Sequence, residues 1–167
     1  MNLPIFDTPD QIVAAQRIIE EETAERYLEL GDAFELHGNA PAGDTFRELG
    51  RQAELRAEAL SSTAHPLPSG FSWPLMDDVV VEQSMLHYLM GPYQVIELAI
   101  EGRQRALSYF EGIAAQAASE DRVEEQARQV MAAFSAQLEV LRQRLAETPP
   151  PEPGWDEDLD PPNFDVE

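Results

Sequence analysis

Residues 20–27 read Glu-Glu-Glu-Thr-Ala-Glu-Arg-Tyr, and residues 102–109 read Gly-Arg-Gln-Arg-Ala-Leu-Ser-Tyr, so Ala24 and Tyr27 recur as Ala106 and Tyr109 at an offset of 82 positions. A second set behaves the same way: Leu49, Ala57 and Leu60 recur as Val130, Leu138 and Leu141 at an offset of 81. Two stretches with helical apolar periodicity therefore repeat as a pair, which is the signature of a duplicated helical hairpin.

Working outward from these stretches, the punctuation gives four helices. The first runs from about Pro9 to His37, started by Asp7-Thr8-Pro9 and ended by Gly38-Asn39-Ala40-Pro41. The second runs from about Ala42 to Ala64 through Phe46, Leu49, Ala53, Ala57 and Leu60. The third follows Gly91-Pro92 and reaches about Ala118. The fourth starts at the capping stretch Ser119-Glu120-Asp121 and ends near Glu147. Between the pairs, residues 65–92 carry four prolines and the apolar cluster Val79, Val80, Val81, Met85, Leu86, Tyr88, Leu89. This reads as a long crossover holding one short helix from Asp77 to Met90. The expected fold is all-α: an up-down-down-up four-helix bundle of two hairpins over residues 1–147, followed by an acidic, proline-rich tail over 148–167.

Composition narrows the chemistry. The chain has 167 residues, 32 of them Asp or Glu, and a formal net charge of −21, while 43% apolar residues suffice for a core. All 11 cations are Arg, so Schiff-base and P-loop lysines are excluded. Cysteine is absent, which removes disulfides, thiolate catalysis and thiolate metal sites and leaves oxygen and imidazole as ligands. So negative a surface repels phosphate backbones and anionic headgroups, and neither nucleic acid nor a membrane is an expected partner. The first ten residues have no signal-peptide apolar run, and no stretch approaches bilayer length, so a soluble, cytoplasmic protein is expected.

The stretch 20–27, Phe46 through Leu60, His87-Tyr88-Leu89-Met90-Gly91-Pro92-Tyr93, Ala99 through Phe110 and Trp155-Asp156-Glu157-Asp158 together resemble a rubrerythrin-type member of the ferritin-like superfamily, in a small stand-alone form without the rubredoxin domain. The resemblance covers most of the chain and implies a ferritin-like bundle. In that family two irons are held by a Glu from one helix of each hairpin and a Glu-x-x-His pair from the other, for peroxide reduction or iron handling. Carried onto this sequence, the first Glu falls on Glu21, three residues before Ala24, and its repeat partner on Arg103. The two Glu-x-x-His pairs become Ala53 with Arg56 and Phe134 with Gln137. Glu21 is thus the one vestigial ligand, and the histidines, His37, His65 and His87, all lie in or near connections.

Helical spacing leads to the same place without the family. Around Arg103, the residues three, four and seven away are Ile96, Ala99, Ile100, Ala106, Leu107 and Phe110, all apolar. Arg56 sits among Leu49, Ala53, Ala59 and Leu60, with Gln52 and Thr63 as its polar neighbours, and Glu21 sits among Ala14, Ile18, Ala24 and Leu28, with Arg17 and Glu25 at its margin. Stranding a guanidinium in a core costs several kcal/mol, whereas a carboxylate can satisfy it with a two-pronged pair. The expectation is a core network of Glu21, Arg56, Arg103 and Gln137 where the irons would sit. Two cations and one anion leave surplus charge, so either one Arg reaches water or a further acid joins, with Glu25, Glu58 and Glu111 nearest by helix face.

Other readings of the same residues stay open. Glu21 could remain a metal ligand, and Arg56 with Arg103 could grip an anionic ligand. Tyr27 and Tyr109 could be redox-active or simply packed, and His87 could be a ligand or a connection residue. Trp155 and Phe164 could dock on a partner or on the bundle, a solvated tail being the default. Two functional hypotheses follow. The preferred one is a non-catalytic, cofactor-free structural or regulatory protein, a homodimer or a heteromer with an iron-binding homologue. The other is an iron-binding, rubrerythrin-like oxidoreductase that uses a rearranged carboxylate site.

Overall fold

The computed structural model describes residues 3–60, 66–73, 88–117 and 121–157. Among the described residues there are four helices: α1 (Pro9–Leu36), α2 (Ala40–Ala59), α3 (Pro92–Gln116) and α4 (Asp121–Glu147). The fold is an all-α four-helix bundle. The Thr8 side chain caps α1 by accepting from the Gln11 N–H at 3.3 Å, and Pro9 occupies the first turn, where no N–H is needed. After His37, Gly38 takes the left-handed conformation (φ 77°) that lets the chain reverse. Asn39 caps α2, which therefore begins earlier than the apolar pattern suggests, because Pro41 is tolerated in a first turn. The expected short helix over 77–90 lies, up to residue 87, outside the described residues.

Asn39 also fixes the topology. Its amide donates to the carbonyls of Tyr88 at 2.8 Å and Met90 at 2.7 Å, which ties the α1–α2 turn to the residues just before α3. Helix α3 therefore starts at the end of the bundle where α2 starts. Within each hairpin the helices pack closely, α1 on α2 and α3 on α4. Between hairpins α1 faces α4 and α2 faces α3.

The α1–α2 crossing depends on glycine. A Cβ built on Gly43 would stand 2.8 Å from the Gly31 carbonyl oxygen, and one on Gly31 would stand 3.0 Å from that of Gly43. The two backbones touch where any side chain would part them. Arg47 then staples this end, pairing with Asp32 of α1 at 3.2 Å, with Glu35 of α1, and with Asp44 of its own helix at 3.1 Å.

The apolar core is split into two clusters. One contains Phe6, Ile12, Ile19, Tyr109, Phe110, Ile113, Val123, Val130 and Phe134. The other, near the α1–α2 turn, contains Leu30, Phe34, Phe46, Leu49, Met90, Val95 and Ala99. On α1 the gap between them holds Glu20, and on α3 it holds Arg103. The tail turns back onto the bundle. Trp155 packs against the second cluster, so the default of a solvated tail is corrected as far as that residue. The reason is simple: an indole offers more apolar surface than the acidic residues around it can keep in water.

Candidate functional site

The middle of the bundle is an ionic layer built on Glu20, whose side chain is 0% exposed. Arg103 of α3, itself 6% exposed, donates from Nη1 to Glu20 Oε1 and from Nη2 to Oε2, both at 3.0 Å. This is the parallel two-pronged geometry that a planar guanidinium and a carboxylate favour. Arg56 of α2 donates from Nε to Glu20 Oε2 at 3.1 Å. The Arg103 guanidinium also lies over the ring of Phe134 of α4, 4.6 Å from its centroid. Each helix contributes one member to the layer.

Two arginines and one glutamate leave one unit of positive charge in excess. The structure resolves this by exposure: the Arg56 side chain is 33% exposed, while Glu25, Glu58 and Glu111 lie at the surface and do not join. Burial lowers the pKa of Arg56, and Arg103 beside it pushes the same way against the attraction of Glu20. Tyr27 reports the same field. Burial raises its phenol, the two arginines partly offset this, and Glu20 adds to it.

The carboxylate at the centre is Glu20 and not Glu21. Glu21 is 47% exposed and pairs on the surface with Arg17 at 2.7 Å, so the assignment that spacing from Ala24 suggests is corrected. One residue along a helix is a rotation of about 100°, enough to carry a side chain from core to water. Glu20 is harder to recognise because its helical neighbours include Gln16 and Thr23, which dilute the apolar surround. Gln16 is itself buried, and a Gln–Glu–Tyr stripe at 16, 20 and 27 is the signal that marks a polar layer on that face. Gln137 follows Phe134 by about one turn of α4, but its buried Oε1 has no hydrogen-bond partner, so it is not part of the network formed by Glu20, Arg56 and Arg103. Ala53 and Phe134 are fully buried. His37 is an exposed cap residue after α1, and His65 and His87 lie outside the described residues.

These side chains do not suit a two-metal centre. Such a centre draws carboxylates and imidazoles from all four helices. Here Glu20 meets two guanidiniums, one of them lying over an aromatic ring. Both oxygens of Glu20 already accept charge-assisted hydrogen bonds, and a guanidinium repels a divalent ion while offering it no lone pair. Among the described residues no group of three or more His, Asp or Glu side chains converges as metal ligands. What the layer can do is cross-link: it joins the two hairpins through one buried carboxylate.

No protein-family model matches the chain, and no curated protein matches it. Among solved structures, an uncharacterized conserved protein from Magnetospirillum magnetotacticum MS-1 is similar, with a TM-score of 0.53 and 26% sequence identity. The match covers 84% of this chain and 95% of that one. The similarity is at the level of the fold. No helix among the described residues is long and apolar enough to cross a membrane.

Proposed function

We propose that this chain is a ferritin-like protein of the rubrerythrin type in which fixed cations have taken the place of the two irons. It works without a metal, as a structural or regulatory partner in iron or peroxide handling, and it assembles with itself or with an iron-binding homologue. The observation that carries this reading is the grip of Arg103 on both oxygens of Glu20 at 3.0 Å. A family ligand position occupied by a guanidinium, chelating the one buried carboxylate of the layer, is chemically opposed to holding Fe²⁺ or Fe³⁺ there.

The test is metal analysis of protein purified after growth in iron-rich medium, beside a peroxidase assay. The expected result is iron far below one ion per chain and no peroxide turnover. About two tightly held irons per chain would overturn the proposal in favour of a rearranged carboxylate centre.

A further inference from the structure

The tail segment after α4 is built like an arm with one anchor. Its base is fixed: the Thr148 N–H donates to Leu145 O at 3.1 Å and the hydroxyl to Arg144 O at 2.7 Å. Pro149, Pro150, Pro151 and Pro153 then restrict the backbone, so little chain entropy is lost when the segment settles. Gly154, at φ 79°, makes the turn that returns the chain, with Trp155 N–H donating to Glu152 O at 3.2 Å and Glu157 N–H to Gly154 O at 3.0 Å. That turn presents Trp155 to the apolar cluster around Phe34, Phe46 and Leu49. The indole is only partly buried, and its flanking Glu152, Asp156 and Glu157 are exposed acids on a chain of net charge −21. Apolar contact pulls the arm in while like charge pushes it out.

We propose that residues Thr148–Glu157 form an intramolecular latch in which Trp155 is an exchangeable ligand of the bundle surface over the second core cluster. That surface takes a proline-restricted acidic peptide bearing one tryptophan, and the chain's own tail is the occupant. This inference is independent of the metal question. Since the charge term opposes docking, salt tightens the latch and low ionic strength loosens it.

The experiment uses full-length protein and two readouts. The Trp73→Phe chain leaves Trp155 as the sole tryptophan. Its emission should be blue-shifted relative to free indole, resist acrylamide quenching, and shift further to the blue as salt is added. A synthetic peptide spanning residues 148–157 with a fluorinated tryptophan is then titrated into the Trp155→Ala chain and the unaltered chain, followed by fluorine NMR. It should bind the Trp155→Ala chain and bind the unaltered chain at least about tenfold more weakly, because the tethered arm competes at high effective concentration. Equal affinity for both chains, binding to neither, or a fully solvated emission from Trp155 would each overturn the proposal. The emission measurement needs no change at Trp155, so it decides the matter even if Trp155→Ala fails to fold.

Discussion

The Arg103 guanidinium and the Glu20 carboxylate meet edge to edge in the middle of the bundle, through two parallel contacts of 3.0 Å, one residue from each hairpin. A buried pair of this kind is worth little against a well-packed apolar alternative but is costly to break, because the survivor is left charged in a place without water. Glu20→Leu and Arg103→Leu should each lower unfolding free energy by about 3–5 kcal/mol in denaturant titrations. The double variant should cost clearly less than the sum of the two. Arg103→Lys should fall between, since an ammonium cannot reproduce the fork. Additive single and double costs would show that the two side chains do not depend on one another.

Glu21 provides the control. Its pair with Arg17 is a surface one, 2.7 Å long with both side chains partly in water. Glu21→Ala should change stability by no more than about 0.5 kcal/mol. A loss of several kcal/mol at Glu21, with Glu20 tolerant, would exchange the roles assigned here.

Tyr109 is buried with its hydroxyl unpartnered, against the edge of Trp73 at 5.0 Å between ring centroids. Burial raises its phenol to about 12. A group whose folded value is raised contributes stability while protonated, and that contribution is lost as pH rises from the ordinary tyrosine range through the folded value. Tyr109→Phe removes both this alkaline loss and the orphaned hydroxyl. It should raise stability at neutral pH by about 1 kcal/mol, measured by urea unfolding, and delay alkaline unfolding.

The helical periodicity, the hairpin order and the core placement of Arg103 are all legible in the sequence, since each rests on spacing over many residues. The need for one arginine to reach water is legible too, as charge arithmetic. Identifying the carboxylate is harder: Glu20, Glu21 and Glu22 are chemically identical, and which one points inward depends on helix phase to within a residue. Trp155 is marked by the sequence as able to dock, but which surface it meets is not legible, because a lone aromatic among acids has no periodicity to reveal what it packs on.

Acid should stabilise this protein before it unfolds it. Glu22 is held above the ordinary carboxylate range by burial first and by Glu25 second, and Glu97 by burial and then Glu101. Between the unfolded and the raised folded values, the folded state binds more protons, so stability falls as pH rises through that window. The thermal midpoint should therefore be higher at about pH 5 than at about pH 7.5, and Glu22→Gln with Glu97→Gln should flatten the slope. A midpoint that climbs with pH over this range would contradict the assignment.

The contact of Gly31 and Gly43 predicts a packing cost. Gly43→Ala places a methyl against backbone that cannot rotate away. The gain in helix propensity, about 1 kcal/mol, is outweighed by overpacking, for a net loss of about 1–2 kcal/mol in chemical unfolding.

Restoring ligands tests where the layer sits. Replacing Ala53, Arg103 and Phe134 with Glu and Arg56 and Gln137 with His, around the native Glu20, should create iron affinity of about two ions per chain. A folded variant that takes up no iron would show that the ionic layer does not occupy a di-iron position.

The separation of the core into two apolar clusters by a charged layer has a consequence for how the halves find each other. Leucines and phenylalanines tolerate sliding; a one-turn slip merely exchanges one greasy contact for another. The same slip would set Glu20 against Ala99 or Ala106 and leave Arg103 facing hydrocarbon, a mismatch no neighbouring side chain can mend. The central charges thus act as a key cut for one alignment, so that hairpin docking is all-or-none at its midpoint even where its ends are forgiving.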